Sequence, residues 1–150
     1  RLIAEVETAA ACVGCIDNEG FALLESRIGE GSKAAARRSG LRTLVRRSEL
    51  DFHFILSEYC PNPLLAFQSR FLTDLLRDFI EFGAEGEADF DRFTEDNRQY
   101  HADLLAALRA EDEPAVRRIM TDHMRSAHCH TRSLFAKIAP SLLLQETETA

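Results

Sequence analysis

The chain has 150 residues, 45% hydrophobic and 29% charged, with a formal net charge of −7. That is one domain's length, with the composition of a globular protein that buries its own core. The acidity excludes a chain that grips DNA or an anionic membrane by itself, and no apolar run approaches the roughly 20 residues of a membrane span.

Helical periodicity runs through almost the whole sequence, and 7 Gly and 4 Pro leave little room for strands. A first helix carries Leu2, Ile3, Val6, Ala9, Ala10 and Val13 and ends near Gly14. Asp17 or Asn18 caps a second through Phe21, Leu24 and Ile28, expected to break around Gly29 and Gly31. After Gly40 a third has the stripe Leu41, Leu44, Val45, Phe52, Leu56 and Tyr59. Asn62 as N-cap and Pro63 at the first helical position restart the chain. The fourth helix follows through Leu65, Phe71, Leu72, Leu75, Phe79 and Ile80 to Gly83. A fifth carries Phe90, Phe93, Leu104, Leu105 and Leu108. Asp112 caps the last, which runs through Val116, Ile119, Met120, Ala127 and Leu134 and is expected to stop before Pro140. Short connections between long amphipathic helices imply an all-α antiparallel bundle of about six to seven helices, residues 1–139, with a tail at 140–150.

Cys12 and Cys15 have the spacing of a redox or zinc pair, but no second pair completes a zinc site. Cys12, Cys15, Cys60 and Cys129 read as small buried thiols of a cytoplasmic protein. His128, Cys129 and His130 are adjacent, so on a regular helix they diverge by about 100° per residue and cannot converge on one ion. Surface or dimer contacts suit them better. The basic stretch from Arg37 to Arg47 is interleaved with Leu41, Leu44 and Val45 and reads as a solvated helix face.

Four polar residues interrupt the apolar stripes. Glu49 and His53 lie i,i+4 on the third helix, His101 lies on the fifth and His123 on the last. His53 is nine residues before the turn at Asn62, about 13 Å above it at the helical rise. The fourth helix climbs about 33 Å, and His101 comes back down to about 11 Å above the same turn. His101 and His123 each stand eleven residues from Asp112, so they share a level. Three imidazoles and a carboxylate meeting inside a bundle suit a divalent transition metal such as Zn, Ni or Mn. A buried polar network without metal is the alternative. Asn97, one turn before His101, is a pocket or supporting hydrogen-bond group.

Several stretches, in order and at fixed gaps, resemble one family. They are Arg1-Leu-Ile-Ala-Glu5; Phe52-His53-Phe-Ile-Leu56 followed by Asn62-Pro63-Leu-Leu65; His101-Ala-Asp-Leu-Leu-Ala-Ala-Leu108; and Asp112 with His123. The chain is similar to the FCD domain, the C-terminal effector-binding domain of FadR-type regulators in the GntR family. The resemblance covers residues 1 to about 134 and implies a metal held by an Asp-x-x-x-His pair and two further histidines, with a small carboxylate effector beside it. Carried over, the ligands are Glu49, His53, His101 and His123, Glu standing where the family has Asp. Arg1 matches a helix-one Arg that pairs with an effector carboxylate, and Glu111 stands where the family has Gly.

The resemblance further implies a homodimer that meets DNA only through an N-terminal winged helix-turn-helix domain, expected to be missing from a sequence that starts at Arg1. The function expected is therefore a ligand-sensing domain, not an enzyme: no Glu-x-x-His pair of the di-iron type and no separate general base accompany the histidines. The alternatives are a metal-free domain for an acyl or other small molecule, which predicts a wide apolar cavity, and a bundle metalloenzyme.

Overall fold

Side chains and backbone turns account for the helix ends. The computed structural model describes residues 1–36, 42–83 and 90–145, and side chains at 1–29, 48–77 and 94–129. Among the described residues six α-helices occur and no strand: α1 Leu2–Ala11, α2 Asn18–Ala36, α3 Arg42–Glu58, α4 Pro63–Gly83, α5 Phe90–Arg109 and α6 Glu113–Gln145. Asp17 Oδ1 accepts from Gly20 N at 2.8 Å, Asn62 Oδ1 from Leu64 N at 3.0 Å and Asp112 Oδ1 from Ala115 N at 3.0 Å. Each satisfies a backbone N–H that a helix start would otherwise leave open.

α5 ends in a Schellman turn: Asp112 N donates to Ala107 O at 3.0 Å and Glu111 N to Leu108 O at 3.1 Å. The residue that must turn left-handed there is Glu111, at φ 53°, a conformation that favours glycine. α3 with α4, and α5 with α6, are joined by tight turns and pack side by side, so each pair runs antiparallel. α2 packs on α3 and α5, and α1 lies against α3, α4 and α6.

Phe52 and Leu56 of α3, Leu24 of α2, Leu104 and Leu108 of α5, and Val116 and Met120 of α6 form the fully buried core. Each such side chain contributes about 1.5–3 kcal/mol through burial. Gly20 opens α2 to the end of α3, because a Cβ there would lie 2.5 Å from the Tyr59 ring.

The observed helices depart from the sequence reading in four places. α2 runs unbroken past Gly29 and Gly31, and α6 continues through Pro140 to Gln145. On α1 the buried residues are Ala4, Glu5, Thr8, Ala9 and Ala10, whereas Leu2 and Ile3 are exposed. Small side chains let α1 approach its neighbours closely, a gain that outweighs the greater bulk of Leu2 and Ile3. Among the described side chains of α4 the buried ones are Ala66, Ser69 and Thr73, and Phe71 and Leu75 lie outside. Only Cys12 and Cys60 are buried thiols; Cys15 and Cys129 are exposed. Cys12 lies just past the end of α1 and donates to Leu56 O at 3.3 Å. Gly40 and the side chains of the basic stretch from Arg37 to Arg47 lie outside the described residues, as does the side chain of His130.

Candidate metal centre

His53 from α3, His101 from α5 and His123 from α6 are each 2% exposed and turn Nε2 toward a common point. The Nε2 separations are 3.0 Å for His53–His123, 3.1 Å for His101–His123 and 3.3 Å for His101–His53. Packing fixes the rings. Phe52 stacks flat on His101 with centroids 4.0 Å apart, and His53 and His123 lie parallel at 5.1 Å.

Behind His53 lies a carboxylate absent from the sequence-based ligand set. Glu5 of α1, 1% exposed, presents Oε2 to His53 Nδ1 at 3.2 Å and accepts from Ser69 Oγ at 3.2 Å and Thr73 Oγ1 at 3.5 Å. Arg1 Nε donates to its other oxygen at 3.2 Å. Burial alone would push the Glu5 carboxyl up. The charge and hydrogen bond of His53, then those of Arg1, reverse this and bring it down to about 2. An ionised Glu5 only accepts, so the His53 Nδ1 that faces it carries a proton, and in the neutral form of that ring Nε2 is the lone pair facing the other two rings. Burial holds the pKa of His101 and of His123 well below the ordinary imidazole value, reinforced by the neighbouring imidazoles and Arg1. Both are therefore neutral at physiological pH.

The donor set fits a metal ion. Imidazole nitrogens each about 2.1 Å from one ion stand roughly 3.0 Å apart at 90° and 3.4 Å apart at the tetrahedral angle. The three observed separations fall inside that range. Protein-only hydrogen bonding does less well. With His53 Nε2 bare, at most two N–H groups serve three edges, and His123 Nδ1 is buried without a partner.

The other sequence-derived residues sit around this trio. Among the described residues the cluster with ligand atoms within 4.8 Å of one another comprises the three histidines. Glu49, one turn before His53, accepts from Asn97 Nδ2 at 2.9 Å, and Asn97 Oδ1 is buried without a partner. Glu49 and His101 share the lining of a cavity of about 20 Å³ with Arg27, Ser48, Thr94 and Arg98. Arg1 stands behind the trio through Glu5 and also lines a larger groove between α1, α4 and α6, about 680 Å³ in volume. His128 and Cys129 are exposed beside that groove.

The three histidines that share a level in the sequence thus converge, whereas the spacing gives no place to Glu5, Ser69 and Thr73. The available signal was a carboxylate on the small-residue face of α1, with Ala4, Thr8 and Ala9 around it.

Comparison with protein families matches the FCD domain to residues 1–126. Comparisons with curated proteins and with solved structures returned no match.

Proposed function

The chain belongs to the FCD domain family, and from that premise we propose that it is the ligand-sensing domain of a GntR/FadR-type transcription regulator, responding to a small organic acid at a buried divalent metal ion. The observation that carries this reading is the convergence of three buried imidazole Nε2 atoms, one of the rings oriented by an ionised carboxylate. Regulators of this kind meet DNA through a separate winged helix-turn-helix domain.

His53, His101 and His123 would hold the ion, which is Zn, Ni or Mn in type. Glu49 would supply the anionic fourth ligand from the neighbouring cavity, steadied by Asn97. The ion, when bound, offers an acid's carboxylate a Lewis-acidic partner. Glu5 keeps His53 in the ligating tautomer, and Ser69 and Thr73 keep Glu5 in place. Arg1 and Asn97 are the proposed effector contacts, Arg1 through the fork of its guanidinium.

Elemental analysis of the untagged chain beside His101→Ala tests this. Near-stoichiometric metal, lost in the variant, is expected, followed by heat on titrating small di- and tricarboxylates into the metal-loaded protein only. No metal in either protein after reconstitution would sink the reading. A metal-free domain for a longer apolar acid then takes its place, and the apolar groove between α1, α4 and α6 favours that second reading.

A further inference from the structure

Three of the four cysteines gather at one corner of the bundle, where α1 and α3 end. Cys12 follows α1, and its buried thiol donates to Leu56 O at 3.3 Å. Cys60, one turn beyond Leu56, is also buried, and its thiol is a side-chain partner of Cys12. Cys15 is exposed, with Sγ turned back over Ala11 O at 3.5 Å and Val13 O at 3.7 Å.

The backbone brings Cys12 and Cys15 into bridging range. Cys15 N donates to Cys12 O at 3.0 Å and closes a turn. Such a turn keeps the two Cα atoms less than about 7 Å apart, and a disulfide spans roughly 4.4–6.8 Å. Gly14 shapes the turn at φ 73°, and nothing lies within 4 Å of the place its β-carbon would take. A metal suits the corner less well. Among the described residues the cluster with ligand atoms within 4.8 Å of one another is the histidine trio, so Cys12, Cys15 and Cys60 form no cage.

Exposure sorts the two thiols into roles. Cys15 stands open to water, so its thiolate is the one a dissolved oxidant meets first. Cys12 is shielded, and burial pushes its thiol well up, which keeps it protonated and inert until an oxidised sulfur arrives beside it.

We propose that Cys12 and Cys15 are a dithiol that a hydroperoxide oxidises to an intrachain disulfide. With hydrogen peroxide, the Cys15 thiolate attacks one oxygen and the O–O bond breaks. The sulfur becomes a sulfenic acid, and the other oxygen takes a proton from solvent and leaves as water. The Cys12 sulfur then attacks that of Cys15. The S–O bond breaks, and the departing hydroxyl takes the Cys12 proton as a second water. Two electrons pass from two thiols to one peroxide. The proton lost is the one Cys12 gives to Leu56 O, so the bridge releases this end of α1 from α3. Glu5, seven residues earlier on the same face, keeps the other hold, on His53.

Tryptic mapping of the peroxide-treated, alkylated chain tests this, independently of any metal. Residues 2–27 form one tryptic peptide that carries both Cys12 and Cys15, whereas Cys60 falls in another. The first peptide is expected to lose two hydrogens and escape alkylation, and a dithiol reductant should restore it. Cys15→Ser, an exposed substitution, is expected to slow oxidation of Cys12 about tenfold or more, and Cys60→Ser should leave the bridge in place. The bridged chain is expected to melt about 2–4 °C below the reduced one. Cys15 stopping as a sulfur acid beside a reduced Cys12, a bridge to Cys60 instead, or Cys12 oxidising at the wild-type rate in Cys15→Ser overturns the proposal. Equal melting of the two forms overturns the release of α1.

Discussion

Glu5 Oε2 stands 3.2 Å from His53 Nδ1, joining the first helix of the chain to an imidazole of the third. The contact sets which nitrogen of His53 faces the other two histidines, and so ties α1 to the chemistry of α3, α5 and α6.

Replacing Glu5 by Gln keeps the size but removes the charge and lets the amide turn a donor toward Nδ1. Metal affinity, measured by chelator competition, is expected to fall about 10- to 100-fold. Unchanged affinity would mean that His53 needs no anionic support.

Acid should loosen the metal-free protein. His101 and His123 have folded pKa values well below the unfolded 6.5, so the unfolded chain binds protons first. Their contribution to stability is fully present above pH 6.5 and is lost as pH falls below it, by about 1.4 kcal/mol per pH unit for each proton taken up. Glu5, about 2 when folded against 4.5 unfolded, adds a second loss as pH falls below 4.5. Thermal melts of stripped protein from pH 8 to pH 4 should show both; a flat profile between pH 7 and 5 would contradict the neutral assignment.

Phe52→Leu removes the ring stacked on His101. Stability is expected to drop by roughly 1–2 kcal/mol from lost burial and stacking. Metal affinity should drop as well, because His101 gains rotational freedom. A variant less stable yet unchanged in affinity would make Phe52 a packing residue alone.

Glu111→Gly should stabilise the protein. The left-handed turn at φ 53° costs a β-carbon-bearing residue about 1 kcal/mol, which glycine avoids. Part of that gain is offset by the freer unfolded chain. Urea denaturation should show a midpoint shifted upward with an unchanged slope, and no change in metal affinity, since Glu111 lies ten residues from His101 and twelve from His123 in sequence.

Much of this was legible before any coordinates. The level argument that aligned His53, His101 and His123 needs only the helical rise and the position of turns, and Asn62 and Asp112 mark those turns chemically. Glu5 escaped because α1 has no turn tying it to the other helices at a known height, and its burial depends on Ala4, Thr8 and Ala9 rather than on large apolar residues. Phe71 and Leu75 misled for the opposite reason. Periodicity reports that a helix has an apolar stripe, and cannot say which of two such stripes the chain itself covers. Gly29 and Gly31 weaken a helix locally, but packing of α2 on α3 and α5 carries it past them.

The cavity between Glu49 and His101 has room for about one water molecule. An organic acid arriving from that side meets a door narrower than itself. Entry on that side would part α2, α3 and α5, whose Arg27, Ser48, Glu49, Thr94 and Arg98 line the cavity. Occupancy is then inseparable from displacement. A roomy, ready-made pocket would admit its ligand silently, whereas on the proposed function this one would have to change shape to take the acid.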